Sequence, residues 1–195
     1  MPFTMEQIKE LRTRTGCGIV DCKEALEETS GDIDKAITSL RKRGKAQAAK
    51  KAERDTREGI IASYIHSNNK IAVLVSLLCE TDFVARNDKF RELAHNIAIH
   101  VAAMEPVAVR PEDISAEAIA EEKAIAADQA EKSGKPKEIQ EKMIEGKLNK
   151  YRTERALLTQ PFVKDPNKNI EDLIGEAVGE LGENITVGEF TRLTI

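Results

Sequence analysis

Aromatic residues are scarce in this chain of 195 residues: 4% of the total, with no tryptophan, two tyrosines and five phenylalanines. A core with so few rings is built from aliphatic side chains, and a phenylalanine on a connecting segment stands out. Cysteine is scarce too. Three residues, an odd number at spacings that form no framework, argue against a disulfide-stapled domain and for a reducing cytosol. The longest largely apolar run, Ile71 to Cys79, is too short to cross a bilayer as a helix. Met1 to Met5 lead straight into polar helix residues, so no secretory leader is expected. Basic charge is not in excess either. The net charge of −4 gives no global case for nucleic-acid binding.

Motifs that carry chemistry are also missing. Gly16-Cys17-Gly18 is not followed by the Lys-Ser or Lys-Thr that a phosphate-binding loop needs. Cys17, Cys22, His66, His95 and His100 lack the tight paired spacings of a zinc site, so no metal is expected. No Ser-His-Asp or Cys-His set stands out, and paired acids such as Glu121-Glu122 fall in solvated helical runs. Nothing here supports a hydrolase or a transferase, and neither a cofactor nor a catalytic residue is expected.

What is present suits a helix-rich protein with a real core: 41% apolar and 33% charged residues. Thr4 and Gln7 form a capping box before Met5, Ile8 and Leu11. Thr15-Gly16-Cys17-Gly18 breaks that helix. Ile19, Cys22, Ala25 and Leu26 mark a second helix, stopped at Ser30-Gly31. Asp32 caps a third, with Ile33, Ala36, Ile37 and Leu40 on one face. Residues 1–43 thus read as a three-helix module. From Arg41 to Arg57 the chain carries eight basic residues against two acids, among alanines and with no strong apolar face. Residues 44–57 therefore read as an exposed basic helical linker. An RNA-contacting arm is the sharper alternative, but no aromatics interleave the charges as stacking platforms.

The remainder, 58–195, reads as a second domain. Ile60 to Ile65 and Ile71 to Cys79 are strands around an Asn68-Asn69 turn. Apolar residues on both faces make the second strand central and covered on both sides. Phe90, Leu93, Ala94, Ile97, Ala98 and Val101 define a helix after Asn87. Ser115 to Lys132 and Pro136 to Arg155 read as an antiparallel helical hairpin (115–155). Gln160 to Pro166 reads as a loop. Ile170, Leu173, Ile174, Ala177, Val178 and Leu181 give the cleanest amphipathic helix in the chain, ended by Gly182. Ile185 to Ile195 is a last strand, with Ile185, Val187, Leu193 and Ile195 assigned to one side. The expected class is α+β: a three-helix module, then a three-stranded antiparallel sheet with flanking helices and a helical hairpin.

The segment that organises this layout is Thr81-Asp82-Phe83-Val84, set between the central strand and the helix that Asn87 caps. Short connections between rigid elements often carry function. The residues leave two readings open. Either Phe83 folds back into the core and Asp82 helps to start the next helix, or the pair is held out for a partner.

The run Thr15-Gly16-Cys17-Gly18, Asp21-Cys22-Lys23-Glu24-Ala25-Leu26, Gly31-Asp32 and Ala36 resembles the ubiquitin-associated fold. With Leu11-Arg12, Leu40-Arg41, Gly44 and Glu58-Gly59, the same run resembles the opening of the elongation factor Ts family. Glu80 to Asn87, Gln160-Pro161-Phe162-Val163 and Gly182-Glu183-Asn184-Ile185 extend that resemblance over nearly the whole chain. The resemblance implies a guanine nucleotide exchange factor that acts in the cytoplasm on elongation factor Tu, the GTPase of translation elongation. The GTPase would be engaged both in its GDP-bound and in its nucleotide-free state. It implies docking through Leu11, Arg12, Thr15, Gly16, Cys17 and Gly18. It also implies that Thr81, Asp82, Phe83 and Val84 work near the partner's nucleotide site, with Phe83 as a wedge that displaces the magnesium and phosphate contacts. Longer family members carry a second core unit and a long coiled-coil insertion, for which this chain has no room. A homodimer is therefore expected, sealed by the last strand or the amphipathic helix, with no direct contact to nucleic acid or membrane. A ubiquitin-associated-type adaptor and an RNA-binding factor without exchange activity are the alternatives.

Overall fold

Three caps begin the fold. In the computed structural model, which describes residues 3–195 apart from the side chain of Lys45, the Thr4–Gln7 capping box starts α1 (Met5–Thr15). Gly18 precedes α2 (Ile19–Glu28), and Asp32 accepts from the Lys35 amide to start α3 (Ile33–Lys51). Met1 and Pro2 of the expected module lie outside the described residues. Phe3, Ile8, Leu11, Cys22, Ala25, Leu26, Ala36 and Leu40 bury together as a small core of their own. Ile19 does not join them. The turn that carries Cys22, Ala25 and Leu26 inward leaves Ile19 and Val20 in solvent.

The expected boundary at residue 43 falls inside a continuous helix. α3 runs on to Lys51 because its second half packs through small residues rather than an apolar stripe. Gly44 is buried so close to α8 (Ile170–Leu181, introduced below) that a Cβ there would sit 3.0 Å from the Gly175 carbonyl. Ala48 packs against the main core. Several basic side chains on this stretch also have partners. Arg41 pairs with Glu176, Arg43 with Glu24 and Glu28, Arg54 with Glu80, and Lys51 donates to the Gly182 carbonyl. The segment is largely exposed, as expected, but it is seated on α8 through Gly44 and Ala48 rather than free of the core.

β1 (Glu58–Ile65) and β2 (Ile71–Cys79) form the expected hairpin, with Asn69 in the left-handed conformation at the turn. The one-turn α4 (Asp82–Ala85) and the long α5 (Asp88–Met104) follow. α6 (Ala116–Lys132) and α7 (Lys137–Arg155) make the helical hairpin. The segment expected as a loop contains a short ribbon, β3 (Pro161–Phe162) against β4 (Asp165–Asn169). α8 and β5 (Ile185–Thr194) close the chain. The sheet is antiparallel in the order β1-β2-β5, so β2 is central as the pattern required.

Only one face of β2 is covered, however. Val73, Val75, Leu77 and Cys79 bury under α5 and α8, with Phe90, Ile97, Val101, Ile170, Ile174 and Val178. The other face leaves Leu74 exposed, beside Ile61 and Ile65 of β1 and Leu193 of β5. β5 also departs from simple alternation. Val187 pairs with Leu77 but Phe190 pairs with Val75, so Gly188 and Glu189 together face Ser76. The Glu189 amide donates to Ser76 Oγ (2.8 Å), and that hydroxyl donates back to the Glu189 carbonyl (3.1 Å). The bulge flips the strand, a known effect of one extra residue. Ile185 and Val187 therefore face the core, while Leu193 faces out. Glycine is required at 188, where a Cβ would meet Ser76 Oγ at 2.6 Å.

The Gln160-Pro161-Phe162-Val163 motif is a structural lock. His100 is fully buried, and its Nδ1 accepts from the Val163 amide (3.2 Å). Its Nε2 therefore carries the proton and donates to Gln160 Oε1 (3.0 Å). Gln160 in turn donates to the Glu154 and Met104 carbonyls. Burial pushes the His100 pKa below its ordinary value, and the Gln160 bond opposes this only in part.

Candidate functional site

β2 ends at Cys79, and Glu80 leads into Thr81, which is extended (φ −131°, ψ 156°) and caps α4. The Val84 amide donates to Thr81 Oγ1 (3.5 Å), the Ala85 amide to the Thr81 carbonyl (3.2 Å) and the Arg86 amide to the Asp82 carbonyl (3.1 Å). Asn87 then accepts from the Lys89 amide (2.9 Å) and restarts the chain as α5. The expected loop is thus a single helical turn. That turn buries Ala85, half-buries Val84 against the core and points Phe83 outward, 81% exposed. Phe83 does not fold back into the core. Burying a phenylalanine is worth roughly 1.5–3 kcal/mol, and the fold does not take that gain at Phe83. Asp82 lies beside it, paired with Arg86 at 2.9 Å in an exposed contact that is cheap to break.

A carboxylate from the far end of the chain holds the turn. Glu183 Oε2 accepts from the Glu80 amide (3.1 Å) and the Thr81 amide (3.0 Å), and Oε1 accepts from the Thr81 hydroxyl (2.6 Å). The grip is reciprocal, since Glu80 Oε1 accepts from the Asn184 amide (2.6 Å). Asn184 is buried, and its side chain donates to the Arg54 carbonyl just past the end of α3 (2.9 Å). In the sequence Glu183 and Asn184 stand only as part of the Gly182-Glu183-Asn184-Ile185 motif. No local pattern shows a carboxylate bonding to amides about a hundred residues away.

On the N-terminal module, Gly16 takes a left-handed conformation (φ 70°), and its amide donates to the Arg12 carbonyl (2.8 Å). The Thr15 hydroxyl donates to the Leu11 carbonyl (2.7 Å), and Cys17 is half-buried, its thiol pKa pushed up by burial. Gly18 is exposed at the start of α2. Leu11 is fully buried in the module's core, so it holds the module together and has no surface to offer a partner. Arg12 is exposed, as are Ile19 (55%) and Val20 (68%), an apolar pair that the sequence reading assigned to packing or passed over. Neighbouring residues on a helix diverge by about 100°, so with Cys22, Ala25 and Leu26 inward Val20 falls on the opposite side, whereas Ile19 shares the angular sector of Cys22 and Leu26 and is exposed at the first position of α2.

The two regions are connected. Glu180 on α8 pairs with Lys89 in the first turn of α5, and a Cβ at Gly16 would sit 3.0 Å from its Oε1. One acid thus lies between the Gly16 turn and the start of the helix that follows Phe83. Among the described residues, no group of three or more His, Cys, Asp or Glu side chains is placed to hold a metal ion. No helix among them is long and apolar enough to cross a membrane.

The family described as Elongation factor TS matches residues 5–195. Elongation factor Ts of Thermosipho melanesiensis is 57% identical over 188 residues, covering 96% of each chain. Elongation factor Ts of Fervidobacterium nodosum is 51% identical over 195 residues, covering 100% of this chain and 99% of the relative. Elongation factor Ts of Rubrobacter xylanophilus is 50% identical over 192 residues, covering 98% of both. Matched along nearly its full length, with the exposed Asp82-Phe83 turn set in an α+β core, the chain belongs to the elongation factor Ts family of translation elongation factors.

Proposed function

We propose that this protein is a guanine nucleotide exchange factor that binds elongation factor Tu and promotes release of GDP. The observation that carries this reading is Phe83, held 81% exposed on an anchored turn next to a carboxylate. Phe83 enters the GTPase near its magnesium and phosphate site and displaces the elements that neutralise GDP. Asp82 exchanges its Arg86 partner for groups of the GTPase, and Thr81 and Val84 keep the turn seated. Arg12, with Ile19 and Val20, docks the module, while Thr15, Gly16, Cys17 and Gly18 shape that surface from behind. The protein performs no bond chemistry of its own. It acts in the cytoplasm, on GDP-bound and nucleotide-free partner, without direct contact to nucleic acid.

The energetics are those of linkage. If the factor weakens GDP binding by some ratio, GDP weakens factor binding by the same ratio. A ratio of about ten thousand corresponds to roughly 5.5 kcal/mol of differential binding. An aromatic hot spot supplies about 2–4 kcal/mol of this, and the docked surfaces supply the rest. The experiment is a pair of titrations of elongation factor Tu, nucleotide-free and with saturating GDP. The reading expects much tighter binding to the nucleotide-free form. Equal affinities would exclude exchange by linkage. The RNA-binding alternative is disfavoured at Arg41 and Arg43, whose guanidinium groups are partly covered and paired with acids of the chain.

The same reading includes a homodimer. The uncovered sheet face carries Ile61, Ile65, Leu74 and Leu193 on all three strands, with Glu189 at the bulge in the row of Ile61 and Ser76. A second copy offers the identical apolar face about a two-fold axis. Each side chain fully covered contributes roughly 1.5–3 kcal/mol. The seam is then the face of the sheet, in which the last strand takes part through Leu193.

A further inference from the structure

We infer that Glu183 is the positioning residue for Phe83: its carboxylate sets the bearing of the turn that carries the exposed ring. The inference rests on the exchange reading and adds a residue to it. α4 is a single turn, and helix formation has a costly nucleus that so short a segment cannot repay by itself. Its own N-cap contact is long, 3.5 Å from the Val84 amide to Thr81 Oγ1. The orientation of Asp82 and Phe83 must therefore come from outside the turn. Below, Val84 and Ala85 pack against the core. In front, Glu183 takes three donors from the two residues that precede Asp82, at 2.6, 3.0 and 3.1 Å.

Two of those bonds fix the peptide planes on either side of Glu80 and the third holds the Thr81 hydroxyl, which together set the direction in which the chain enters α4. The supporting geometry is specific. Gly182 ends α8 in a left-handed conformation (φ 79°), which turns the next side chain back toward β2. Lys51 donates to the Gly182 carbonyl at 2.6 Å. Asn184 is tied by its amide to Glu80 and by its side chain to the end of α3. The anchor is therefore itself held, as a residue that orients another must be. Glu183 touches the turn and not the ring, so it works through Thr81.

The test uses the full chain with Glu183→Ala and Glu183→Gln. Alanine leaves two amides and a hydroxyl without their acceptor. Glutamine keeps an oxygen for the amides and forfeits the acceptor for the hydroxyl. Misplacement of a reacting geometry by about 1 Å costs on the order of a hundredfold. The maximal stimulated rate of GDP release from elongation factor Tu is therefore expected to fall by about ten- to a hundredfold in Glu183→Ala, and by less in Glu183→Gln. The concentration for half-maximal stimulation is expected to stay within about threefold, because Arg12, Ile19 and Val20 are untouched. In the free protein, amide hydrogen exchange is expected to rise at Glu80, Thr81 and the turn, while β2 and α5 stay protected. Unchanged maximal rate in both variants would overturn the assignment. So would a lowered rate with undiminished protection at Glu80 and Thr81, or general loss of protection in Glu183→Gln. If the wild-type protein releases no GDP, the exchange reading fails, and the amide measurement still decides whether Glu183 holds the turn.

Discussion

Phe83→Ala separates a surface role from a packing role. The ring is 81% exposed and belongs to none of the apolar clusters, so its removal creates no cavity. Surface substitutions of this kind change stability by about 0.5 kcal/mol or less. In a domain of 150–250 residues 1 kcal/mol moves Tm by roughly 2–4 °C, so a shift below about 2 °C is expected. The effect on exchange is far larger. A truncated aromatic hot spot costs about 2–4 kcal/mol. At 1.36 kcal/mol per factor of ten, GDP release under the same factor concentration slows by roughly thirty- to a thousandfold. Stopped-flow release of fluorescent GDP and a thermal melt on the same sample measure the two quantities. A Tm drop of many degrees, or release as fast as with the wild type, would refute the reasoning.

Three further outcomes follow. Ile19→Lys with Val20→Lys raises the half-saturating concentration for GDP release by more than about tenfold while the maximal rate persists, since these residues contribute uniform binding; an unchanged titration would remove the module's docking role. Leu74→Lys or Leu193→Lys yields a monomer in sedimentation equilibrium at concentrations where the wild type is a dimer, because like charges then oppose each other across a two-fold axis; a wild-type monomer, or variants that remain dimeric, would contradict the proposed seam. His100 is buried with its pKa lowered, so the unfolded chain protonates first as acid is added. Stability from this group is complete above about pH 6.5 and is lost as pH falls from there toward the lowered folded value. Urea unfolding at a series of pH values should show that decline in the wild type and a shallower one in His100→Gln, and equal slopes would be the contrary result.

Much of this architecture was legible because local chemistry and burial agree. The Thr4–Gln7 box, the Asp32 and Asn87 caps and the face of α8 each appear where their side chains require. The parts that were not legible depend on partners distant in the chain. The face of β5 could not be read by alternation, because Ser76 accommodates both Gly188 and Glu189 and turns the strand over. The length of α3 was obscured because Gly44 and Ala48 pack by close backbone approach rather than through large apolar side chains. The outer face of β2 seemed covered because Leu74 and Leu78 are apolar, and apolarity alone does not say what covers a residue. At the candidate site, Asp82 and Phe83 were visible as types in a telling place. Glu183 was hidden, since a carboxylate that accepts backbone amides leaves no spacing rule to follow.

The central claim is exchange itself, and the most direct measurement is the rate at which elongation factor Tu loses labelled GDP as this protein is added in increasing concentration. The account predicts a saturable acceleration, with a plateau far above the spontaneous rate and with GDP in excess able to reverse complex formation. A rate that stays at its spontaneous value across the whole concentration range would contradict it.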